Sequence, residues 1–404
     1  MATTDGPASG WSDGKRYLWL LGAVTITLPI LAAQLALSTG VHVFWWFGPL
    51  FAFGVIPILD TLIGDDRDNP PEAVVPQLER SRYYRWIVYL ATLVEYVAFF
   101  MCVRIVGTHA LAWYDYLGFA LSLGAATGIS INTAHELGHK TNRFERWLAK
   151  ITLAPVAYGH FFVEHNRGHH VRVATAEDPA SARFGESFWA FLPRTVAGSI
   201  RSAWRLEKAR LERLGRSPWT WRNEVLHAWA MTVVVWGIAI AMAGPVVIPF
   251  LVIQAAYGAS LLEVVNYVEH YGLGRRKLPS GRYERCTPQH SWNSNHVVTN
   301  LFLYQLQRHA DHHANPTRSY QALRHFDDSP QLPAGYATMI LFAYVPPLWY
   351  RVMNPRVVAH YGGDMAHVEH QAVDPRTRAR AVSGRDLTRA YAVAAAPLKR
   401  PAVA

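Results

Sequence analysis

Six apolar stretches alternate with polar ones along the chain, each about 20 residues long and so able to cross a bilayer as a helix. They run from Leu18 to Leu37, Val43 to Ile63, Trp86 to Val106, Trp113 to Ile131, Leu226 to Ala243 and Val246 to Tyr267. Only Gly244 and Pro245 separate the last two, which makes them a tight hairpin or a re-entrant pair. Between the spans, the Pro- and Asp-rich segment Asp65 to Pro76 reads as a loop, and Ser199 to Leu214 as a charged helix. Pro155 and Gly159 interrupt the helix expected after the fourth span. No internal repeat is visible, and the last thirty residues turn rich in Ala and Arg.

This pattern predicts an all-α fold, a six-helix transmembrane bundle with a polar helical cap. It divides the chain into an N-terminal segment (1–17), transmembrane helices 1–4 (18–131), a His-rich segment (132–225), transmembrane helices 5–6 (226–270), a His-rich cap (271–363) and a tail or linker (364–404). Basic residues set the orientation. The turns Ser38 to His42, Gly107 to Ala112 and Gly244 to Pro245 contain no Lys or Arg, whereas the longer polar segments are studded with them. The positive-inside rule then puts both termini and every long polar segment in the cytoplasm, a multi-pass topology. Arg104, near the outer end of its helix, is the exception and can snorkel.

Composition adjusts this picture in three places. The chain is 51% hydrophobic with a net charge of +10, yet its mean hydropathy is only +0.04, as expected when apolar spans are averaged with a water-facing part. The charge follows from topology, and no basic run alternates with aromatics on a nucleic-acid module, so no nucleic-acid partner is expected. Cys102 and Cys286 are the two cysteines and form no Cys-x-x-Cys pair, which excludes an iron–sulfur or rubredoxin-like module in this chain. The first fourteen residues show no cleavable signal pattern, and the first span reads as an uncleaved anchor.

Histidines carry the candidate chemistry. His135 and His139 lie four residues apart at the end of the fourth span, on one helix face. Alone, His135-Glu-Leu-Gly-His139 is a zinc-metalloprotease signature with Glu136 as base. In Glu164-His-Asn-Arg-Gly-His-His170, helical spacing puts His165 and His169 on one face, with His170 turned about 100° away toward a second metal. In His309-Ala-Asp-His-His313, spacings of three and four collect His309, His312 and His313 on one side of a helix. His270 closes the sixth span. These nine histidines fall at one membrane–water boundary, more than one tetrahedral zinc can use, and suit two five- or six-coordinate first-row ions, with iron the natural redox candidate.

Glu136, Glu164, Glu263, Glu269 and Asp311 stand beside or one face along from these ligands. Adjacent helix positions diverge, so each acid is expected to hold the ring of a ligand from another cluster. His160 and His296 lie close enough to join that outer shell, and Glu95 is an acid inside the third span.

The motifs Asn132-Thr-Ala-His-Glu-Leu-Gly-His-Lys140, Glu164 to His170 followed by Ala176-Glu-Asp-Pro-Ala-Ser181, Asn266-Tyr-Val-Glu-His-Tyr-Gly-Leu273, and Leu306 to His313 with Pro316-Thr-Arg-Ser-Tyr320 resemble those of the bacterial integral-membrane alkane hydroxylases (alkane 1-monooxygenases). These belong to a wider group of histidine-rich membrane di-iron enzymes that includes desaturases and xylene monooxygenase. The resemblance covers most of the chain from about Lys15 to Gly363. It implies a di-iron site held by the nine histidines and O2 as co-substrate. The implied reaction takes the terminal methyl of medium- to long-chain n-alkanes to primary alcohols, with electrons from rubredoxin and its NAD(P)H-dependent reductase. No side chain need act as a covalent catalyst beyond the metal site. Two alternatives from the sequence are a related desaturase or hydroxylase acting on acyl or aromatic substrates, and a zinc membrane protease.

An alkane dissolves in membrane lipid and enters sideways from the bilayer, so its recognition rests on shape and on burial of about 0.8 kcal/mol per methylene. Ile129, about 9 Å deeper than His135 along the helix, is expected to line a substrate channel. The resemblance also points to the second span, and implies Ala52, Trp45 and Trp46 at the channel's far end.

Overall fold

The computed structural model describes residues 11–371. The Ala- and Arg-rich part of the expected tail and the first ten residues lie outside the described residues. Among the described residues the secondary structure is helical, with four isolated β-bridges and no strand. Six helices are long and apolar enough to cross a membrane: α1 (Leu20–Thr39), α2 (His42–Ile63), α3 (Arg82–Thr108), α4 (Trp113–Gly138), and, after the cap segment, Glu224–Ala243 and Val247–His270. All six correspond to the apolar stretches of the sequence, and the final pair are two full helices rather than re-entrant halves.

Cap elements follow the fourth span. They are α5 (Arg143–Thr152), α6 (residues 161–172), α7 (Phe188–Glu212), then, after the helices α8 (Glu224–Ala243) and α9 (Val247–His270), α10 (Val297–Phe302), α11 (His309–Ala314), α12 (Tyr336–Ala343) and α13 (Pro346–His360). The interruption expected at Pro155 and Gly159 is the turn between α5 and α6.

Two of the membrane helices run past the apolar stretches that define them. Helix α4 continues through His135 to Gly138, and α9 through Tyr267 to His270, so each carries ligand-type side chains out of the bundle without a joint. Glycine lets these two helices approach backbone to backbone. A Cβ on Gly124 would stand 2.6 Å from the Gln254 carbonyl, and one on Gly258 3.0 Å from the Gly124 carbonyl. Small residues at such a contact are what allows tight packing where lipid gives no hydrophobic drive.

The cap is tied to the bundle by buried polar side chains. Asp60 on α2 accepts from the backbone N–H of Thr299 at 3.0 Å and from its hydroxyl, fixing the first turn of α10. Arg308 is buried and donates to the carbonyls of Asp66, Asp68 and Leu323, which orients the start of α11. Glu95 on α3 is buried, and neither carboxylate oxygen has a hydrogen-bond partner among the described residues.

Candidate metal centre

The nine histidines converge at one end of the bundle in two groups. One contains His135, His139, His165, His170 and His312; the other contains His169, His270, His309 and His313, with all donor atoms in a group within 4.8 Å of one another. One group takes His135 from α4 and His139 from just past its end, the other takes His270 from α9, and the rest come from the cap helices α6 and α11.

This division corrects two expectations drawn from α-helical spacing. His165 pairs with His170, not with His169. The reason is local: residues His165–His169 form a π-helical turn, in which the His170 N–H reaches the His165 carbonyl. The wider turn brings residues five apart onto one face. Gly168 permits it, because a Cβ there would run into the Glu164 carboxylate and the Arg172 guanidinium. On α11, His309 and His313 stay together at four residues apart, but His312 turns to the other group instead of joining them.

Donor spacing fits a metal. In the five-histidine group, Nε2 atoms of His135 and His312 stand 2.8 Å apart, His139 and His165 3.1 Å, His165 and His170 3.0 Å, and His170 and His312 3.1 Å. In the other group the separations are 3.2 Å for His169 and His313, 2.9 Å for His309 and His313, and 3.3 Å for His270 and His309. Imidazole nitrogens about 2.1 Å from a shared ion, at right angles to each other, stand about 3 Å apart. A neutral ring has one N–H and one lone pair, so converging Nε2 atoms pair with one another only where their tautomers alternate, whereas a shared ion accepts the lone pair of every ring. Burial, reinforced by the neighbouring rings, holds His139, His165, His170, His309, His312 and His313 well below the usual imidazole range, leaving their lone pairs free.

The acids are arranged differently from the sequence expectation. Glu136 pairs with Lys140 at 2.6 Å, Glu164 with Arg172 at 2.7 Å, and Asp311 with Arg318 at 2.8 Å, so each meets a cation and not a ligand ring. Glu263 accepts from Tyr158 and Thr195 at 2.5 and 2.8 Å. Glu269 alone of the five meets a ligand from another cluster, with Oε2 3.1 Å from His309 Nε2, while its Oε1 accepts from Tyr336 at 2.9 Å. Burial raises Glu164 to about 7 against the pull of Ser202 and Arg172.

Asp178 is the residue that the acid-beside-ligand argument missed. Its Oδ2 stands 2.9 Å from His169 Nδ1 and accepts from Ser181 at 2.6 Å. Burial opposes its charge, but the His169 ring and the Ser181 hydroxyl outweigh burial and hold it at about 2. A carboxylate on the outer nitrogen of a ligand ring fixes its tautomer and orientation. The signal was present in Ala176-Glu-Asp-Pro-Ala-Ser181, one short turn beyond α6.

His160 is buried beside Tyr158 and lines a cavity that adjoins His165 and His169. His296 turns away, its Nδ1 2.8 Å from the Ser294 hydroxyl. Along α4 the residues expected to line a channel fall at successive depths. Ile129 is half-buried below His135, Trp46 covers Gly118, and the buried Trp45 packs on Phe119 with ring centroids 4.9 Å apart. Ala52 lies half-buried in a π-helical turn of α2, Phe51–Val55.

The fatty acid desaturase family model matches residues 111–343. Alkane 1-monooxygenase of Ectopseudomonas oleovorans is 47% identical over 362 residues, 90% of each chain. The chain belongs to the alkane 1-monooxygenases of the fatty acid desaturase family. Another alkane 1-monooxygenase, number 1 of Alcanivorax borkumensis, is 46% identical over 368 residues, 91% of each chain. A more distant relative, the xylene/toluene monooxygenase hydroxylase component of Pseudomonas putida, is 24% identical over 237 residues, 58% of this chain and 63% of its own. Membership in the alkane 1-monooxygenases leaves no place for the protease reading of His135 to His139. The would-be base Glu136 is tied to Lys140, and both histidines belong to a five-donor set.

Proposed function

We propose that this protein hydroxylates the terminal methyl of medium- to long-chain n-alkanes to primary alcohols, using O2 at a di-iron site, with electrons from rubredoxin and its NAD(P)H-dependent reductase. The carrying observation is the convergence of nine imidazoles into sets of five and four at the end of an apolar bundle, in a chain nearly half identical to alkane 1-monooxygenases. His135, His139, His165, His170 and His312 would hold one iron, and His169, His270, His309 and His313 the other. When bound, the iron pair would supply the activation of O2 and the oxidation of a C–H bond. Around it, the chain's own residues orient and seclude. Asp178 fixes the His169 ring, Arg308 sets the start of α11, and the buried walls of the centre exclude water from a reaction that water would divert.

Helix α4 relates this centre to substrate length. Gly118, under Trp46, lies about 25 Å along the helix from His135, close to the roughly 30 Å of a bilayer's hydrocarbon core. An alkane entering from lipid would lie along α4 past Ile129, with Trp45, Trp46 and Ala52 at its far end. The orientation proposed is the one set by the basic segments, with the centre on the cytoplasmic side of the bacterial inner membrane, where an acidic electron carrier meets a basic face.

The test is a turnover series. Iron-loaded protein with rubredoxin, its reductase, NADH and O2 is given n-alkanes of increasing length, and 1-alkanols are expected. Full iron loading without product at any length would pass the reading to acyl or aromatic substrates. Metal analysis finding one zinc and no iron would overturn it altogether.

A further inference from the structure

At the histidine end of the bundle, the first turns of α8 are wrapped by tryptophans. On one side Trp204 of α7 packs between Trp219, 4.9 Å away by ring centroids, and Trp229, 6.2 Å away and nearly parallel to it. On the other side Trp147 of α5 stacks on His227 at 5.2 Å, and the His227 ring meets the Trp221 carbonyl. Trp219 and Trp221 are each 75% exposed, far more than indoles in water-facing loops of a folded protein ordinarily are.

Charge accompanies the rings. Residues 201–222 contain seven basic side chains against two acids. Those acids are already engaged, Glu207 by Arg167 and Arg210 and Glu212 by Lys208. Arg201, Arg205, Arg213, Arg216 and Arg222 are exposed and form no ion pair among the described residues, and Arg222 lies over the Trp221 ring at 5.3 Å. Below this loop, α8 presents an apolar face to the surroundings, with Val233 71% and Val234 60% exposed.

We infer that the 213–222 loop and the head of α8 form a binding site for an anionic glycerophospholipid. Three kinds of exposed group on this surface answer to the three parts of such a lipid. Guanidinium groups of Arg213, Arg216 and Arg222 meet the phosphate and the anionic headgroup. The indoles of Trp219 and Trp221 sit at the glycerol-ester level, where an apolar body and an N–H donor are both accommodated. Acyl chains then run down Val233 and Val234. A free phosphate would engage only the first kind, and an acidic protein would leave the last two unexplained. The site shares no residue with the histidine centre and stands whether or not the proposed reaction is correct.

Native mass spectrometry of the full chain, offered phosphatidylglycerol and phosphatidylcholine of identical acyl chains, tests it. The wild type is expected to retain phosphatidylglycerol by about tenfold over phosphatidylcholine, and R213Q/R216Q/R222Q to bring the two near parity. Phosphatidylglycerol with brominated acyl chains is expected to quench tryptophan fluorescence, with less quenching in the conservative W219F/W221F variant. Equal retention of both lipids by the wild type overturns the inference, as does a preference unchanged in the triple variant. Displacement of phosphatidylglycerol by millimolar inorganic phosphate would reduce the site to a free-anion site. Retention of an acidic protein but of neither lipid would make it a protein-docking face.

Discussion

The two histidine groups use the same side chain and share the cap helices α6 and α11, yet they are held differently. The four-histidine group is buried throughout and has carboxylates on its rings, Asp178 on His169 and Glu269 on His309. In the five-histidine group His139 and His170 are only half-buried, and the nearby acids Glu136 and Glu164 are taken by Lys140 and Arg172. The lesson is that donor number and carboxyl contact are exchanged, Asp178 reaching the outer nitrogen of His169 and Glu269 the inward Nε2 of His309. Where a fifth imidazole is missing, carboxyl groups stand against the rings. Where five are present, neighbouring acids are neutralised by cations. The four-histidine group therefore depends on its carboxylates in a way the other does not.

Removing a ligand is the strongest way to break this asymmetry. His309→Ala is expected to lose about half the bound iron and essentially all turnover, since a ligand set of three imidazoles remains on one side; iron per protein by elemental analysis reads it. His270→Ala should behave alike, and unchanged iron content would remove His270 from the ligand set. Next in size is Asp178→Asn, expected to weaken metal binding by about 10–100-fold, the usual cost of an outer-shell carboxylate. The loss should be confined to half of the iron, and a uniform loss from both groups would dissolve the distinction drawn here. Glu164→Gln should leave iron content unchanged while costing about 1 kcal/mol in thermal stability through the weakened Arg172 pair. The smallest effect belongs to Glu136→Gln, whose partner Lys140 is partly exposed, at about 0.5 kcal/mol. Turnover falling with Glu136→Gln would restore a chemical role to that acid.

Much of this architecture was legible along the chain because two signals are strong in one dimension. Spans of about 20 apolar residues announce themselves, and all nine histidines stand in short clusters or at a span end. What was hidden depends on turn geometry and long-range partners. The pairing of His165 with His170 follows from a π turn, and period-3.6 reasoning assigns the neighbour wrongly. The acids adjacent to ligands were expected to serve other rings, but Lys140, Arg172 and Arg318 reach Glu136, Glu164 and Asp311 instead. Long cationic side chains within four to eight residues compete for such acids, and only a folded chain shows which wins. Asp178 escaped notice because it follows its histidine across a bend, where helical spacing has no force.

The π turn at His165–His169 also matters to anyone who would build such a centre anew. A designer copying Glu-His-Asn-Arg-Gly-His-His onto an ideal helix would obtain the right letters and the wrong wiring, with His165 and His169 forced toward one ion and His170 stranded. The blueprint has to include the surplus residue in that turn and the glycine that makes room for it. In this protein the grouping of the rings is written as much in backbone pitch as in sequence.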